Sequence, residues 1–300
     1  MVLNGAAVRA ANTGYRALYT RGFEGAKPVY EPFVFEVPST KGTEEHHLPG
    51  GLPQLRQWVG DRQVQNLRRY KYRLDNEDWE LTIGVPRNAF EDDELGIFNQ
   101  EFQAMGAQAR LHPDKLFAEA VEAGFVETGF DDAIFFSTAH PADVGGNQSN
   151  LTTDLLDADA FEAGLTNLQS RKNRLNEPVD IFGMGGELYL MVPPALRATA
   201  KEIVGVEYLA SGASNPNYQA AKIIVNTRLT SATKWYMFLG GGPLRPFIHQ
   251  MRKRAELVVR DGPADENMWN KKEIQWGIDG RWALGYGLWQ LTFASDASGS

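Results

Sequence analysis

Apolar and polar positions change period several times along the chain, and each change marks an element. Leu188 to Val192 run apolar without a break, as in a strand buried on both faces; Pro193 and Pro194 end the run. Leu196, Ala200, Ile203 and Val204 then recur at helical spacing. Proline suits the first helical turn, where its missing N–H has no intrahelical partner anyway. Helical spacing also links Leu95, Phe98, Phe102, Met105 and Ala109, and it resumes through Leu116, Phe117, Ala120 and Val121. Pro113 lies between the two halves, which predicts a helix kinked there or restarted with Pro113 at its first position. A further helix is predicted from Asp157 to Lys172, with Phe161, Leu165 and Leu168 inward and Asp157 or Asp159 near its positive end.

Elsewhere the period falls to two. Tyr70, Tyr72 and Leu74 alternate with charged residues, Asn76, Glu77 and Asp78 supply turn chemistry, and Leu81, Ile83 and Val85 alternate again. This predicts a long, charged β-hairpin between Arg62 and Val85. An isolated hairpin is marginal in water, so one this polar packs on a neighbouring element or reaches another molecule. On this reading, deleting Asn66 to Ile83 leaves a folded subunit that cannot associate. Residues 1 to about 55 mix short helical hints, such as Ala6 to Tyr19, with Pro28, Pro32, Pro38, Pro49 and Pro53, the pattern of an extended arm with little core of its own. After Asn215 the chain reads as strands: AKIIVNTRL, KWYMFL, a GGGPLRP hinge, a basic run with AELVV, and EIQWGIDGRWALGYGLWQLTF. No tandem repeat is visible, and ASDASGS closes the chain as a polar tail.

Composition narrows the class. With 300 residues, 43% hydrophobic and 23% charged, the chain can bury a large core and resembles neither a disordered nor a membrane protein. The absence of cysteine excludes a disulfide framework, a thiolate metal site and a cysteine nucleophile. Neither a secretory signal nor an apolar membrane span is legible, so a soluble, unexported chain is expected. A formal charge of −8 argues against wrapping nucleic acid, though not against self-association, because exposed charges are screened beyond about 8 Å at physiological salt.

Candidate chemistry is sparse. His46 and His47 follow Glu44 and Glu45, but neighbouring side chains in extended backbone point to opposite sides, and the pair reads as solvated loop and not as metal ligands. EDDE at 91 to 94 complements the positive end of the following helix. GMGG at 183 to 186 and GGG at 240 to 242 lack the residues that complete a phosphate loop or a dinucleotide fingerprint, and read as tight turns. In FFSTAHP, Ser137 and His140 are the best nucleophile and base available, yet no nucleophile elbow surrounds Ser137. RRYKYR at 68 to 73 and RPFIHQMRKR at 245 to 254 interleave aromatics with bases, as single-strand binders do. In an acidic chain such patches equally suit acidic patches on a second copy. No catalytic residue, metal ligand or cofactor-binding residue is nominated.

Several segments together carry a family likeness: GFEGA (22 to 26), WVGDRQVQNL (58 to 67), VPRNAFEDDELGIF (85 to 98), HPDKL (112 to 116), FFSTAHP (135 to 141), LYLMVPPALRATAKEIV (188 to 204), NPNYQAAKIIVNTRL (215 to 229), WYMFL (235 to 239), RPFIHQMR (245 to 252) and GIDGRWALGYGLWQL (277 to 291). In order and spacing the chain resembles the major head subunits of Mu-like bacteriophages, major capsid proteins with the Hong Kong 97 type fold. EEHHLPGGLPQL at 44 to 55 departs from the family pattern, in which an aromatic residue precedes the tryptophan segment.

The resemblance implies an α+β fold with an N-terminal arm at 1–60, an extended β-hairpin loop at 61–84 lying over the adjacent subunit, a peripheral domain with a spine helix at 85–178, an axial domain at 179–254, and a return to the peripheral domain with the C-terminal tail at 255–300. It implies a structural protein, not an enzyme, that self-assembles into pentamers and hexamers of an icosahedral shell. Packaged double-stranded DNA is enclosed without sequence-specific binding, scaffold and portal proteins take part in assembly, and no membrane is involved. The chain begins at the arm, so no fused scaffold is expected. The location implied is the virion, with the host cytoplasm during assembly. Arg69, Tyr70, Arg73 and Trp79 are the expected contacts between subunits. The alternatives are a bacterial nanocompartment shell of the same fold, a tail or tubular polymer, and, in a different class, an α/β hydrolase or nucleotide-binding enzyme using Ser137, His140 or the glycine turns.

Overall fold

A computed structural model describes residues 5–49, 69–92, 95–173, 176–260 and 271–297. Helix α1 (Gly5–Gly25) leads through β1 (Val34–Pro38) and β2 (Thr43–Pro49) to β3 (Arg69–Asp75), β4 (Glu77–Pro86) and the short α2 (Arg87–Glu91). The long α3 (Asn99–Ala123), β5 (Leu151–Thr152) and α4 (Ala158–Gln169) follow. The rest of the chain comprises β6 (Glu187–Val192), α5 (Arg197–Ala200), β7 (Lys222–Val225), β8 (Trp235–Gly240), β9 (Phe247–Arg260), β10 (Glu273–Tyr286) and β11 (Thr292–Ser295).

The strands form a four-stranded sheet in the order β1-β9-β10-β4, a five-stranded sheet in the order β5-β11-β8-β6-β7, and a separate ribbon of β2 and β3. Two hydrophobic cores result. The larger gathers Leu190, Trp235, Phe238, Phe161 and Phe293 around the five-stranded sheet. It therefore draws residues from both sides of the boundary expected at 178 and 179. The smaller joins Tyr15, Phe102, Met105, Trp276 and Ile278. Three elements tie the cores together. α3 gives Phe102 and Met105 to one and Phe117 and Val121 to the other, while β9 and β10 pair along their length and reach from Phe247 and Tyr286 in the first to Leu257 and Ile274 in the second. At 25 residues, α3 is about 37 Å long at 1.5 Å per residue.

Pro113 does not restart this helix. α3 runs through it without interruption, with Pro113 buried. An interior proline costs about 3 kcal/mol, and burial of apolar side chains on both flanking turns offsets that cost. The helix at 157 is close to expectation, since Asp157 caps α4 by accepting the Ala160 N–H at 2.7 Å. The double proline also behaves as read: Pro193 stays extended at φ −69°, ψ 164°, a 3-10 turn spans Pro194–Leu196, and helical backbone continues to Gly205 with Ala200, Ile203 and Val204 buried.

Two expectations are overturned. The N-terminal segment is not an extended arm throughout, because α1 packs on α3 and buries Val8, Tyr15 and Tyr19 in the smaller core. Tyr15 stacks on Phe102 with ring centroids 3.8 Å apart and meets Trp276 edge-on. Nor do β3 and β4 pair as a hairpin. β3 pairs antiparallel with β2, from Thr43 opposite Asp75 to Pro49 opposite Arg69, whereas β4 pairs antiparallel with β10. The reason lies in which core each strand serves: Tyr70 and Tyr72 pack against the larger, Ile83 and Val85 against the smaller. Asn76, between them, donates to Ser39 Oγ and to the Lys41 carbonyl, both at 2.8 Å, and redirects the chain. The hairpin is therefore β2 with β3, one strand earlier than the sequence period suggested. Residues 61–68 of the expected hairpin lie outside the described residues.

Candidate functional site

The β2–β3 ribbon pairs with no other strand among the described residues. Period two gives it two faces. Tyr70 and Tyr72 turn to the body, where the Tyr70 ring is 5.8 Å from Phe130 and the Tyr72 hydroxyl accepts the Tyr286 N–H at 3.2 Å. Burial pushes the Tyr72 hydroxyl pKa up. Gly285 admits this contact, since a Cβ there would lie 2.8 Å from the Tyr72 ring. Lys71 and Arg73 face outward and are exposed, Lys71 2.9 Å from Glu45 across the ribbon and Arg73 3.3 Å from Asp75 on its own strand. Exposed pairs of this kind contribute little to stability, and their charges remain available to a partner. Arg69 stands opposite Pro49 at the far end of the paired stretch.

Trp79 does not join the other three contact candidates. It lies on β4, donates its indole N–H to the Trp282 carbonyl at 3.1 Å, and sets its ring 4.3 Å from that of His112. These side chains wall a pocket of about 270 Å³ between α3 and the four-stranded sheet, floored by Ile278, with the exposed Glu80 and Gln108 at its mouth. His112 Nδ1 accepts the Trp282 indole N–H at 3.3 Å. Burial, assisted by Lys115 and Arg228, holds the His112 pKa below its ordinary value and so favours the neutral ring that this bond needs. Two residues on, the buried Asp114 carboxylate accepts the backbone N–H groups of Val29 and Tyr30, both at 2.8 Å, and fastens the segment that follows α1. His112 and Asp114 thus act as structural ties. Their partners are up to 170 residues away in sequence, and no local pattern marks them.

The catalytic pair is absent. His140 is fully buried, with Nδ1 2.8 Å from Asp131 Oδ2 and Nε2 3.1 Å from Asn150 Oδ1, so both ring nitrogens face oxygen acceptors and neither is presented to Ser137. Ser137 Oγ instead accepts the Ala139 N–H at 3.1 Å within a turn. The His140 ring stacks on Trp289 at 3.8 Å, and the Arg171 guanidinium lies 5.2 Å from the same indole. Arg171 is buried, donates to the carbonyls of Ser149, Gln290 and Thr292, and has its pKa lowered by burial to about 9. This is a core polar cluster, closed to substrate.

The remaining motifs resolve as structure. His46 and His47 lie in β2: His46 Nε2 is 2.7 Å from Gln250 Oε1, and His47 is exposed. Among the described residues no group of three or more His, Cys, Asp or Glu could hold a metal ion, and no helix is long and apolar enough to cross a membrane. The glycine turns meet at the shared end of β6 and β8, with Gly185 and Gly241 at φ +84° and +77°. A Cβ on Gly242 would be 3.1 Å from Gly186 N, so backbone fills the space a phosphate needs. In the basic run, Arg245 donates to the Gly242 and Glu31 carbonyls, Arg252 to the Ser39 carbonyl, and Arg254 pairs with Glu36 at 2.8 Å. Arg245 and Arg252 are thus spent on backbone carbonyls, while the exposed Arg254–Glu36 pair, like those on the ribbon, leaves its charges available. In EDDE, Asp93 and Glu94 lie outside the described residues.

A family model described as Mu-like prophage major head subunit gpT matches residues 8–155, 151–229 and 226–298. The major capsid protein of Escherichia phage Mu is 25% identical over 297 residues, covering 98% of this chain and 75% of that protein. The Mu-like prophage FluMu major head subunit of Haemophilus influenzae is 24% identical over 287 residues, covering 96% and 72% respectively. Among solved structures, the procapsid of bacteriophage JBD30 aligns with a TM-score of 0.62 at 22% identity, covering 98% of this chain and 76% of that one.

Proposed function

Because the chain belongs to the family of Mu-like prophage major head subunits, we propose that it closes into an icosahedral shell of pentamers and hexamers around double-stranded DNA. It is a major capsid protein with the Hong Kong 97 type fold, and its role is structural and not enzymatic. The observation that carries the assembly reading is the ribbon: two strands paired only with each other among the described residues, with an apolar face on the body and Lys71 and Arg73 outward. Such a ribbon adds contact area with each neighbour. A standard interface buries about 1,600 Å² in total, and a subunit that grips several neighbours multiplies weak contacts. Closed symmetry then ends the growth.

Within this reading Arg69 and Arg73 belong to the contact between subunits, while Tyr70 fastens the ribbon to its own body and Trp79 packs within that body. Residues 85–178 and 255–300 form the peripheral part, 179–254 the axial part, and 1–60 the arm, whose first helix is docked on α3. Scaffold and portal proteins assist assembly in the host cytoplasm, and the acidic balance of −8 suits DNA held loosely and without sequence readout. Electron microscopy of the purified protein is the test. Closed shells containing nuclease-protected DNA are expected from infected or induced cells. Shells holding an enzyme in place of DNA point to a nanocompartment, and a small soluble oligomer under all conditions defeats the assembly reading.

A further inference from the structure

A polar pocket of about 290 Å³ opens between the loop that leads into β5 and the C-terminal end of α4. Its lining carries two cations, Arg171 and Lys172, and no acid; glycine, serine, asparagine and glutamine make up the rest. That composition is one-sided in a chain whose total charge is −8. Arg171 lies buried in the floor, where its guanidinium holds the carbonyls of Ser149, Gln290 and Thr292 and pairs with no carboxylate among the described residues. Carbonyl dipoles offset only part of the cost of taking a cation out of water. Burial accordingly lowers its pKa to about 9, with no acid beside it to oppose the shift. Lys172 stands exposed at the rim, its ammonium 2.9 Å from a neutral oxygen, Asn176 Oδ1. Glu177, five residues on, is turned away, with its carboxylate accepting Asn173 Nδ2 at 2.6 Å outside the pocket.

The walls are held in place by the chain itself. Gln148 donates to the Lys172 carbonyl at 2.9 Å and accepts the Lys172 N–H at 3.0 Å, which locks the loop to the segment after α4. Gly145, at φ +89°, lies so close to Asn176 that a Cβ would come within 2.8 Å of that side chain. The last carbonyls of α4 do not supply the missing negative charge. Those of Thr166 and Leu168 accept the N–H groups of Ser170 and Arg171, and that of Asn167 accepts the Ser170 hydroxyl.

We propose that this pocket is an oxyanion site that takes a phosphate group, with the Lys172 ammonium and the side-chain amides of Asn147 and Asn176 donating to its oxygens and the Arg171 charge attracting it from beneath. A cleft lined by one sign of charge over low-dielectric walls concentrates field on an anion. Donors stand on both walls, Asn147 on the loop and Lys172 and Asn176 opposite, which suits a tetrahedral oxyanion better than a planar carboxylate. The same group occurs free, as inorganic phosphate, and within a nucleic-acid backbone. The site belongs to the single subunit and stands apart from the head-subunit reading.

Isothermal titration of the purified chain with inorganic phosphate, in chloride at constant ionic strength, tests this. The expected result is one saturable site per chain, weakened about tenfold or more by Asn147→Asp with Lys172→Gln. Both substituted side chains are exposed, so the melting curve of this variant in chloride should match the unsubstituted chain. Arg171 is left in place because its three carbonyl bonds hold the core. No saturable heat in the millimolar range overturns the proposal, and so does equal affinity in the double variant, which puts the ion elsewhere. Acetate bound as tightly as phosphate overturns the phosphate assignment and points to an acidic side chain of another chain. A short oligothymidylate that displaces phosphate assigns the site to a nucleic-acid backbone, and one that does not assigns it to free phosphate; either result upholds the oxyanion site.

Discussion

His249 is fully buried in β9 with both ring nitrogens unbonded, 5.5 Å from the Tyr30 ring and beside charges from Glu36 on β1, Arg254 on its own strand, and Arg110 and His112 on α3. Burial is the largest influence and lowers its pKa from 6.5 to about 4; Glu36 opposes the shift, while Arg254, Arg110 and His112 add to it. The unfolded chain therefore takes up a proton near pH 6.5 that the folded chain refuses until about pH 4, and stability falls as pH drops through that window. At 1.36 kcal/mol per unit the loss is at most roughly 3 kcal/mol. His249→Leu removes the proton site and the two unbonded atoms, so its urea midpoint should be no lower at pH 7 and should lose the His249 part of the decline between pH 6.5 and 4. An unchanged slope in the variant sinks this account. A second comparison separates the FFSTAHP residues: Ser137→Ala should shift stability by less than about 0.5 kcal/mol, whereas His140→Ala leaves Asp131 buried without its partner and should cost about 3 kcal/mol or more. Local sequence gave correct warning here, because a missing elbow is visible within five residues. It gave none for His249 or His112, since burial and distant tryptophans are set by the sheet.

At the scale of elements, apolar period identified the strands and helices well, and failed where two cores compete for one segment. Tyr70 to Val85 alternates almost without interruption, and nothing in that alternation says that its halves face different cores. The consequence is practical. Deleting Asn66 to Ile83 removes β3 and most of β4, including Ile83 opposite Trp276, and should unfold the subunit instead of sparing it. Pro49 and Arg69 stand opposite each other, so replacing residues 50–68 by a short glycine-serine linker can join them without disturbing the ribbon; this should preserve the subunit's melting temperature and circular dichroism while abolishing shells in micrographs. Loss of the fold in that variant defeats the division. α1 offers a second element-level test. Gly22 and Gly106 let the helix lie against α3, since a Cβ on either would come within 1.9 Å of the Gln103 carbonyl oxygen or 2.0 Å of that of Tyr19. Overpacking of this kind costs about 1–3 kcal/mol. Gly106→Ala should release α1 to limited proteolysis and red-shift Trp276 emission, with the five-stranded sheet melting as before; protection of α1 equal to wild type excludes the tight contact. Proline and arm composition misled about this segment because both describe the chain after α1, at Pro28 to Pro53, and not the helix itself.

At the scale of the whole molecule, two electrostatic effects of opposite sign act on association, and their ranges differ. Each subunit carries a formal charge of −8, so copies repel over distances set by the Debye length, about 30 Å at 0.01 M salt and 10 Å at 0.1 M. At the proposed ribbon contact, the exposed Lys71 and Arg73 face acids of a neighbouring copy at short range, where screening becomes effective only near 1 M, at about 3 Å. Raising salt therefore removes the long-range repulsion first and the short-range attraction last. Light scattering of purified subunit should show assembly yield rising from about 0.01 M to 0.15 M salt and falling again toward 1 M. A curve that only rises assigns the contact to apolar burial, because exclusion of salt from apolar surface strengthens that term. A curve that only falls says that charge complementarity outweighs the net repulsion at every distance.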